Sequence, residues 1–226
     1  MQSNDWYYLR NPFENVTKYS FRRMYVMCRD HHDKLKAMAN NNSQINDLYQ
    51  FFLPFYKQFN EAYTKNTFAK GFYEAQTMIV QQLMSDLSQK IKQWDIWIQN
   101  VFMEGTPEYQ SILPNRRSPF QSGSYESRIN ELSALVQALM QYPGLSNVLL
   151  DVENFYNTLN DARTKQQGKE IEDSENSTQL EKSRATLAKA MHGVFGGLLR
   201  IYWDTPINVL NFYERKYFET GNPNKS

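Results

Sequence analysis

The chain has 226 residues, and its 25 basic and 24 acidic side chains nearly cancel. This balance excludes a global positive field that would attract nucleic acid or an anionic membrane. No run approaches the ~18 apolar residues of a membrane span, and the polar start lacks the apolar segment of a signal peptide, so we expect a cytoplasmic protein. The single cysteine excludes an internal disulfide framework.

The composition favours helices with an unusually aromatic surface or core. Glycine and proline are sparse, at 9 and 8 residues, whereas the chain contains 14 Phe, 15 Tyr and 4 Trp. Few turn-forming residues argue against a β fold with many tight turns. Tyrosine combines apolar area with a polar tip, which suits the edge of a core and equally an interface.

The first 19 residues are expected to form an extended arm, because Pro12 disfavours helix at Asn11. A solvated arm should be polar, yet this one is rich in apolar and aromatic residues. The second half of the chain has no matching cluster, so the fold itself does not require one. We therefore predict that the arm contacts a neighbouring molecule through five residues: Trp6, Tyr7, Tyr8, Leu9 and Phe13.

After the arm, apolar residues recur at steps of three and four, which indicates helices with one buried face. Pro54 lies inside one of these runs and is expected to kink it. No convincing alternation of period two competes, so the sequence predicts an all-α fold. In chain order the stripes are Phe21–Tyr25–Cys28–Leu35, Ile45 to Tyr63, Ile79 to Val101, Tyr125 to Leu139 and Leu187 to Ile201.

Two Thr-Pro pairs mark helix boundaries. Thr106 and Thr205 are typical N-cap residues, and the proline after each suits the first helical position, where a missing N–H costs nothing. Each pair is expected to end a long helix and begin a short one, at about Pro107–Leu113 and Pro206–Phe218.

The two halves of the chain resemble each other. With a shift of 100 residues, the segment Ile45–Asn66 aligns with Leu145–Gln166 in apolar and polar positions, and the two Thr-Pro pairs align after one extra residue. We therefore predict an antiparallel helical bundle built from an internally duplicated three-helix unit. Each unit is expected to contain a shorter helix and a hairpin of two long helices, with hairpin tips at residues 65–77 and 165–178.

The expected organisation follows from this duplication. Residues 1–19 form the aromatic arm, residues 20–113 the first helical repeat and residues 114–123 a linker. Residues 124–218 form the second repeat, and residues 219–226 a polar tail. Three glycines in the last long helix suggest a close helix crossing, with Gly197 at the position that Trp97 has in the first repeat.

One stretch contains candidate metal ligands. Cys28 and His32 are four residues apart, and both side chains are ligands for soft or borderline metals. Two ligands do not make a site, and the second repeat has leucine and valine at the matching places. We therefore predict no metal, no cofactor and no catalytic residue, with Cys28 and His32 as weak metal candidates only. Asp95, beside Trp94, has no evident partner in the sequence.

The arginine doublets leave one question open. Arg22-Arg23 and Arg116-Arg117 are the only such pairs, and they could contact phosphates or carboxylates. With a net charge of +1, nucleic acid is not an expected partner.

These patterns predict a non-enzymatic structural or interaction protein. We expect a subunit of a larger homo-oligomeric or virion-type assembly, located in the cytoplasm or in a virion assembled there, with self-association through the arm. The alternative is a small-ligand- or metal-binding helical bundle with enzymatic activity.

Overall fold

The structure, a computed structural model, describes residues 11–18 and 20–218. These residues form helices and no strand, which confirms the all-α prediction. None of the helices in these ranges has the combination of length and apolarity needed to cross a membrane. The α-helices are α1 (Pro12–Thr17), α2 (Phe21–Ala39), α3 (Ser43–Gln99), α4 (Pro107–Ile112), α5 (Ser118–Gln121), α6 (Tyr125–Leu139) and α7 (Ser146–Ile201), and the 3₁₀ helices are Pro143–Leu145, Pro206–Phe212 and Arg215–Tyr217.

Two helices, α3 and α7, are much longer than the sequence predicted. They contain 57 and 56 residues and continue through both expected hairpin tips, so the predicted tips were wrong. The tip segments contain no proline and only one glycine each, Gly71 and Gly168. One glycine costs a helix interior about 1 kcal/mol, which the surrounding Ala, Lys, Glu and Gln residues readily offset. α3 also continues through Pro54.

Side-chain caps fix several helix starts. Asn11 accepts hydrogen bonds from Phe13 N and Glu14 N, and Ser20 accepts one from Arg23 N. Thr106 caps α4 by accepting from Tyr109 N, as the sequence predicted. Thr205 differs: it opens a 3₁₀ helix, and its Oγ1 donates to Asp204 Oδ1 and makes no capping bond to the backbone.

The chain forms two compact units, and the first draws its described residues from the ranges Met1–Ala69 and Asp173–Ser226. In this unit α3 and α7 run antiparallel, because Leu48 lies against Gly197 whereas Asn66 Nδ2 donates to Ser177 Oγ at 2.9 Å. α2 and the 3₁₀ helix Pro206–Phe212 complete the core. Its fully buried residues include Met24, Leu35, Phe52, Phe59, Leu187 and Phe212.

The second unit comprises Lys70–Glu172. Here the later part of α3 is again antiparallel to α7, since Gln166 Nε2 donates to Thr77 Oγ1 at 3.0 Å whereas Lys90 contacts Asp151. α4, α5 and α6 pack against this pair. The core includes Leu87, Ile91, Trp94, Ile98, Tyr109, Leu132, Val152 and Leu159.

The order of elements repeats along the chain. A short helix that contains proline, a medium helix, a very long helix and a short helix with proline at its start follow one another as α1 to α4. The same order recurs as α5, α6, α7 and the 3₁₀ helix Pro206–Phe212. Each compact unit nevertheless takes residues from both predicted repeats. The duplication and its boundaries therefore stay predictions.

Gly197 and Gly196 offer a test of the close helix contact in the first unit. A Cβ at Gly197 would clash with Leu48 Cδ2, whereas a Cβ at Gly196 would meet nothing within 4 Å. We expect Gly196→Ala to raise the free energy of unfolding by up to about 1 kcal/mol through helix propensity. Gly197→Ala should gain less or lose stability, because Leu48 must move. Urea unfolding of the two variants checks this, and equal stabilisation by both would contradict the close contact.

Candidate functional site

The two metal candidates lie in different environments. Cys28 is fully buried, its Sγ donates to Tyr25 O at 3.3 Å, and burial raises the pKa of the thiol well above its usual range. A protonated thiol is a poor metal ligand. His32 stacks on Tyr56, with ring centroids 4.2 Å apart, and lies within hydrogen-bond distance of Asp33 and Tyr49. Among residues 11–18 and 20–218, no group of three or more His, Cys, Asp or Glu residues is placed to hold a metal.

The neighbouring histidine, His31, is the buried one. Its Nδ1 lies 3.0 Å from Phe212 O, and because a carbonyl only accepts, Nδ1 carries the proton and donates it. The ring stacks on Tyr213 at 4.4 Å and meets Phe52 edge-on. Burial lowers the pKa of His31 from 6.5 to about 4, and Nε2 has no hydrogen-bond partner in the described part of the chain. The hydrogen bond of the neutral imidazole thus joins α2 to the 3₁₀ helix Pro206–Phe212 in the C-terminal segment.

Asp95 has partners that its sequence neighbours did not suggest. It is buried, and it accepts hydrogen bonds from Tyr109 Oη at 2.8 Å, from Gln99 Nε2 at 3.0 Å and from Arg117 Nε. Burial by itself would raise the pKa of the carboxyl, but these donors outweigh it and hold the pKa below its usual value. The cluster joins α3 to α4 and to the loop before α5.

The second arginine doublet contacts carboxylates. Arg117 pairs with Asp95, and Arg116 pairs with Glu104 while its backbone adopts a left-handed φ of 54°. Both arginines line an open pocket of about 550 Å³ beside the start of α5. Because each guanidinium already has a carboxylate partner, the contacts of this doublet stabilise the loop between α4 and α5. Arg22 and Arg23 are exposed in the first turn of α2, and the choice between phosphate and carboxylate partners there stays untested.

Each unit also buries one arginine that the sequence did not single out. In the second unit Arg128 donates to Met84 O at 2.6 Å, Phe120 O at 2.8 Å and Ser88 Oγ at 3.1 Å. In the first unit Arg184 pairs with Glu181 and donates to Thr17 Oγ1 at 3.0 Å. Neither position was recognisable from the sequence, because arginine on a helix is ordinarily a surface residue.

The predicted arm is only partly described, and the prediction of an extended segment over residues 1–19 was wrong at Pro12–Thr17, which form α1. Trp6, Tyr7, Tyr8 and Leu9 lie outside the described residues, and their role stays a prediction. Phe13 is buried in its own unit, where its ring packs 5.2 Å from Tyr213 and 5.5 Å from Phe218. Its side chain is therefore not available to a neighbouring molecule, which corrects the inclusion of Phe13 in the interface.

A different apolar surface lies at the end of α7. Within eight consecutive residues, Trp203, Ile207 and Leu210 are 79%, 70% and 60% exposed. In the 3₁₀ helix Pro206–Phe212, residues three apart share a side. Val209 and Phe212 therefore face the core, whereas Ile207 and Leu210 face away from it. We call Trp203, Ile207 and Leu210 the apolar end face.

The end of α3, in the second unit, also has exposed apolar side chains. The exposed side chains there are Ile96, Trp97, Val101 and Met103. Val101 and Met103 align with Ile201 and Trp203 under the 100-residue shift. Both long helices thus end in exposed apolar side chains.

Comparisons of the chain with protein-family models, curated proteins and solved structures give no significant match.

Proposed function

We propose that this chain is a non-enzymatic structural protein that self-associates as a subunit of a larger, homo-oligomeric or virion-type assembly. The observation that carries the proposal is the exposure of large apolar side chains at the ends of both long helices, at Trp203 and Ile207 and again at Val101 and Met103. Contiguous exposed apolar area is typical of protein interaction sites.

The energetics favour burial of these side chains in an assembly. Removing a large apolar side chain from water contributes roughly 1.5–3 kcal/mol when burial is complete. Trp203 is nearly fully exposed in the single chain, so most of that contribution is still available for association. Tryptophan is also among the residues most enriched at the energetic centres of interfaces.

The buried ionisable groups support a structural role. Asp95 joins α3 to α4 and a loop, and Arg128 joins α6 to α3 and α5. His31 joins α2 to the C-terminal segment. Each of these groups makes its hydrogen bonds to other elements of its own unit, which is how buried polar groups stabilise a fold.

The N-terminal arm supplies the first test of assembly. Asn11 Nδ2 donates to Ala188 O at 2.9 Å, and Phe13 is buried, so these two residues attach the start of the described chain to its unit. We expect deletion of Met1–Leu9 to leave a helical, folded protein with weaker self-association. The measurement is light scattering after size-exclusion chromatography at several protein concentrations.

Circular dichroism and urea unfolding of the truncated protein are the controls. An unchanged mass after truncation would show that the arm does not contribute to self-association. A truncated protein that no longer folds would show that the arm is needed for folding. A full-length chain that stays monomeric at every concentration would contradict the proposed function itself.

A further inference from the structure

Two opposite charges flank Trp203 on the apolar end face. Arg200 lies three residues before it and Asp204 directly after it, and both side chains are exposed. Arg200 has no ion-pair partner within residues 11–18 and 20–218. Over the same residues Asp204 only accepts a hydrogen bond from Thr205 Oγ1, at 3.3 Å. The exposed Trp203 therefore has next to it in sequence a cation and an anion that form no ion pair within the described residues.

We propose that the apolar end face pairs with the same face of a second copy of this chain about a two-fold axis, with Arg200 of each copy against Asp204 of the other. This inference rests on the proposed function, since it names the surface through which the chain self-associates. In a two-fold interface the same patch serves both molecules, so it must be complementary to itself. Arg200 and Asp204, which flank Trp203 in sequence, meet that requirement where the rotation brings each charge to its opposite.

The size of the surface suits this occupant. Trp203, Ile207 and Leu210 together expose several hundred Å² of apolar area, the range of the largest patch on a typical monomer. A stable interface buries about 800 Å² per partner around such an apolar centre.

The corresponding region of the second unit lacks this complementarity. Met103 matches Trp203, but the residue three before it is Asn100, which carries no charge. Glu104, the counterpart of Asp204, already pairs with Arg116 of its own chain. A copy rotated onto this region would meet no opposite charge, so the inference is confined to the apolar end face.

Reciprocal charge reversal in the full-length chain tests the proposal. Arg200→Asp and Asp204→Arg each place like charges opposite one another on both sides of the axis. We expect each variant alone to self-associate at least about tenfold more weakly than the wild type in sedimentation equilibrium. An equimolar mixture of the two should regain association, because the new acid of one variant then faces the new base of the other, and the retained Asp204 faces the retained Arg200. This rescue separates a true contact from a general effect on folding.

A matched pair of isoleucines tests the apolar centre. Ile207→Glu is expected to weaken association by at least about tenfold, whereas Ile171→Glu, at an exposed position in the second unit, should leave it unchanged. Circular dichroism should show both variants folded, since both side chains are exposed.

The outcomes distinguish this inference from the proposed function. A wild-type chain that is monomeric at all concentrations overturns both. A wild-type chain that associates, with charge variants that associate equally well or a mixture that shows no recovery, overturns only the end-face pairing and leaves assembly through another surface. Weakened single variants with recovery in the mixture support the pairing.

Discussion

Replacing Trp94 with alanine is expected to lower the free energy of unfolding by about 3–5 kcal/mol, the cost of removing a large buried aromatic side chain. Trp94 is completely buried in the second unit. Its ring meets Phe155 edge-on at 5.7 Å, and its Nε1–H donates to Asp151 Oδ2 at 2.7 Å. Lys90 binds both oxygens of the same carboxylate and lies 5.6 Å above the Trp94 ring. Truncation therefore opens a cavity and removes one donor from Asp151.

Trp97 provides a matched control three residues along the same helix. Its side chain is 43% exposed, so Trp97→Ala should cost less than about 1 kcal/mol, as most substitutions at exposed sites do. Urea unfolding followed by far-ultraviolet circular dichroism compares the two variants directly. Equal destabilisation by both substitutions would show that the burial difference between the two tryptophans does not exist in solution.

The apolar spacing predicted the buried face of α3 well where the helix packs most closely. Ile91, Trp94 and Ile98 belong to one predicted stripe, and all three are fully buried. Ile79 and Val101, at the two ends of the same stripe, are exposed. An α-helix has 3.6 residues per turn, so the three consecutive four-residue steps from Ile79 to Ile91 drift around the helix surface, and Val101 lies beyond the end of α3. The middle of the stripe therefore meets the core and its ends do not.

The continuity of the two long helices was not predictable from local sequence. Residues 65–77 and 165–178 lack the apolar regularity of the flanking stripes, and this suggested turns. The structure uses polar pairs there, such as Asn66 with Ser177 in one unit and Thr77 with Gln166 in the other. Such a pair satisfies both side chains only when the two helices are already in register. The members of the first pair are 111 residues apart in sequence and those of the second 89, so no local pattern reveals either pair.

The polar clusters were missed for the same reason. Two of the three partners of Asp95, Tyr109 and Arg117, lie 14 and 22 residues away, on α4 and at the start of α5. The apolar end face was missed because the seven-residue helix Pro206–Phe212 contains four apolar residues, and the sequence does not show which of them contact the core.

Acidification from about pH 6.5 to pH 4 is expected to remove on the order of 3 kcal/mol of stability through His31 alone. In the folded chain burial lowers the pKa of His31 from 6.5 to about 4. Between these pH values the unfolded chain binds a proton at this histidine and the folded chain does not. The contribution of His31 to stability is therefore complete above pH 6.5 and decreases as the pH falls. Below about pH 4 this contribution no longer changes. Asp95 affects stability over a separate, more acidic pH range, because its lowered pKa means that the carboxyl is protonated only in more acidic solution.

The adjacent histidine separates this effect from a general acid response. His31→Gln removes the titrating imidazole and should flatten the dependence of unfolding free energy on pH between 6.5 and 4, whatever its effect on stability at neutral pH. His32→Gln changes a half-buried ring that stacks on Tyr56 and should retain the full slope. Urea unfolding at half-unit steps of pH gives the slope for each protein. The assignment is wrong if His32→Gln flattens the profile, or if His31→Gln keeps it, because the proton that links pH to folding would then bind elsewhere.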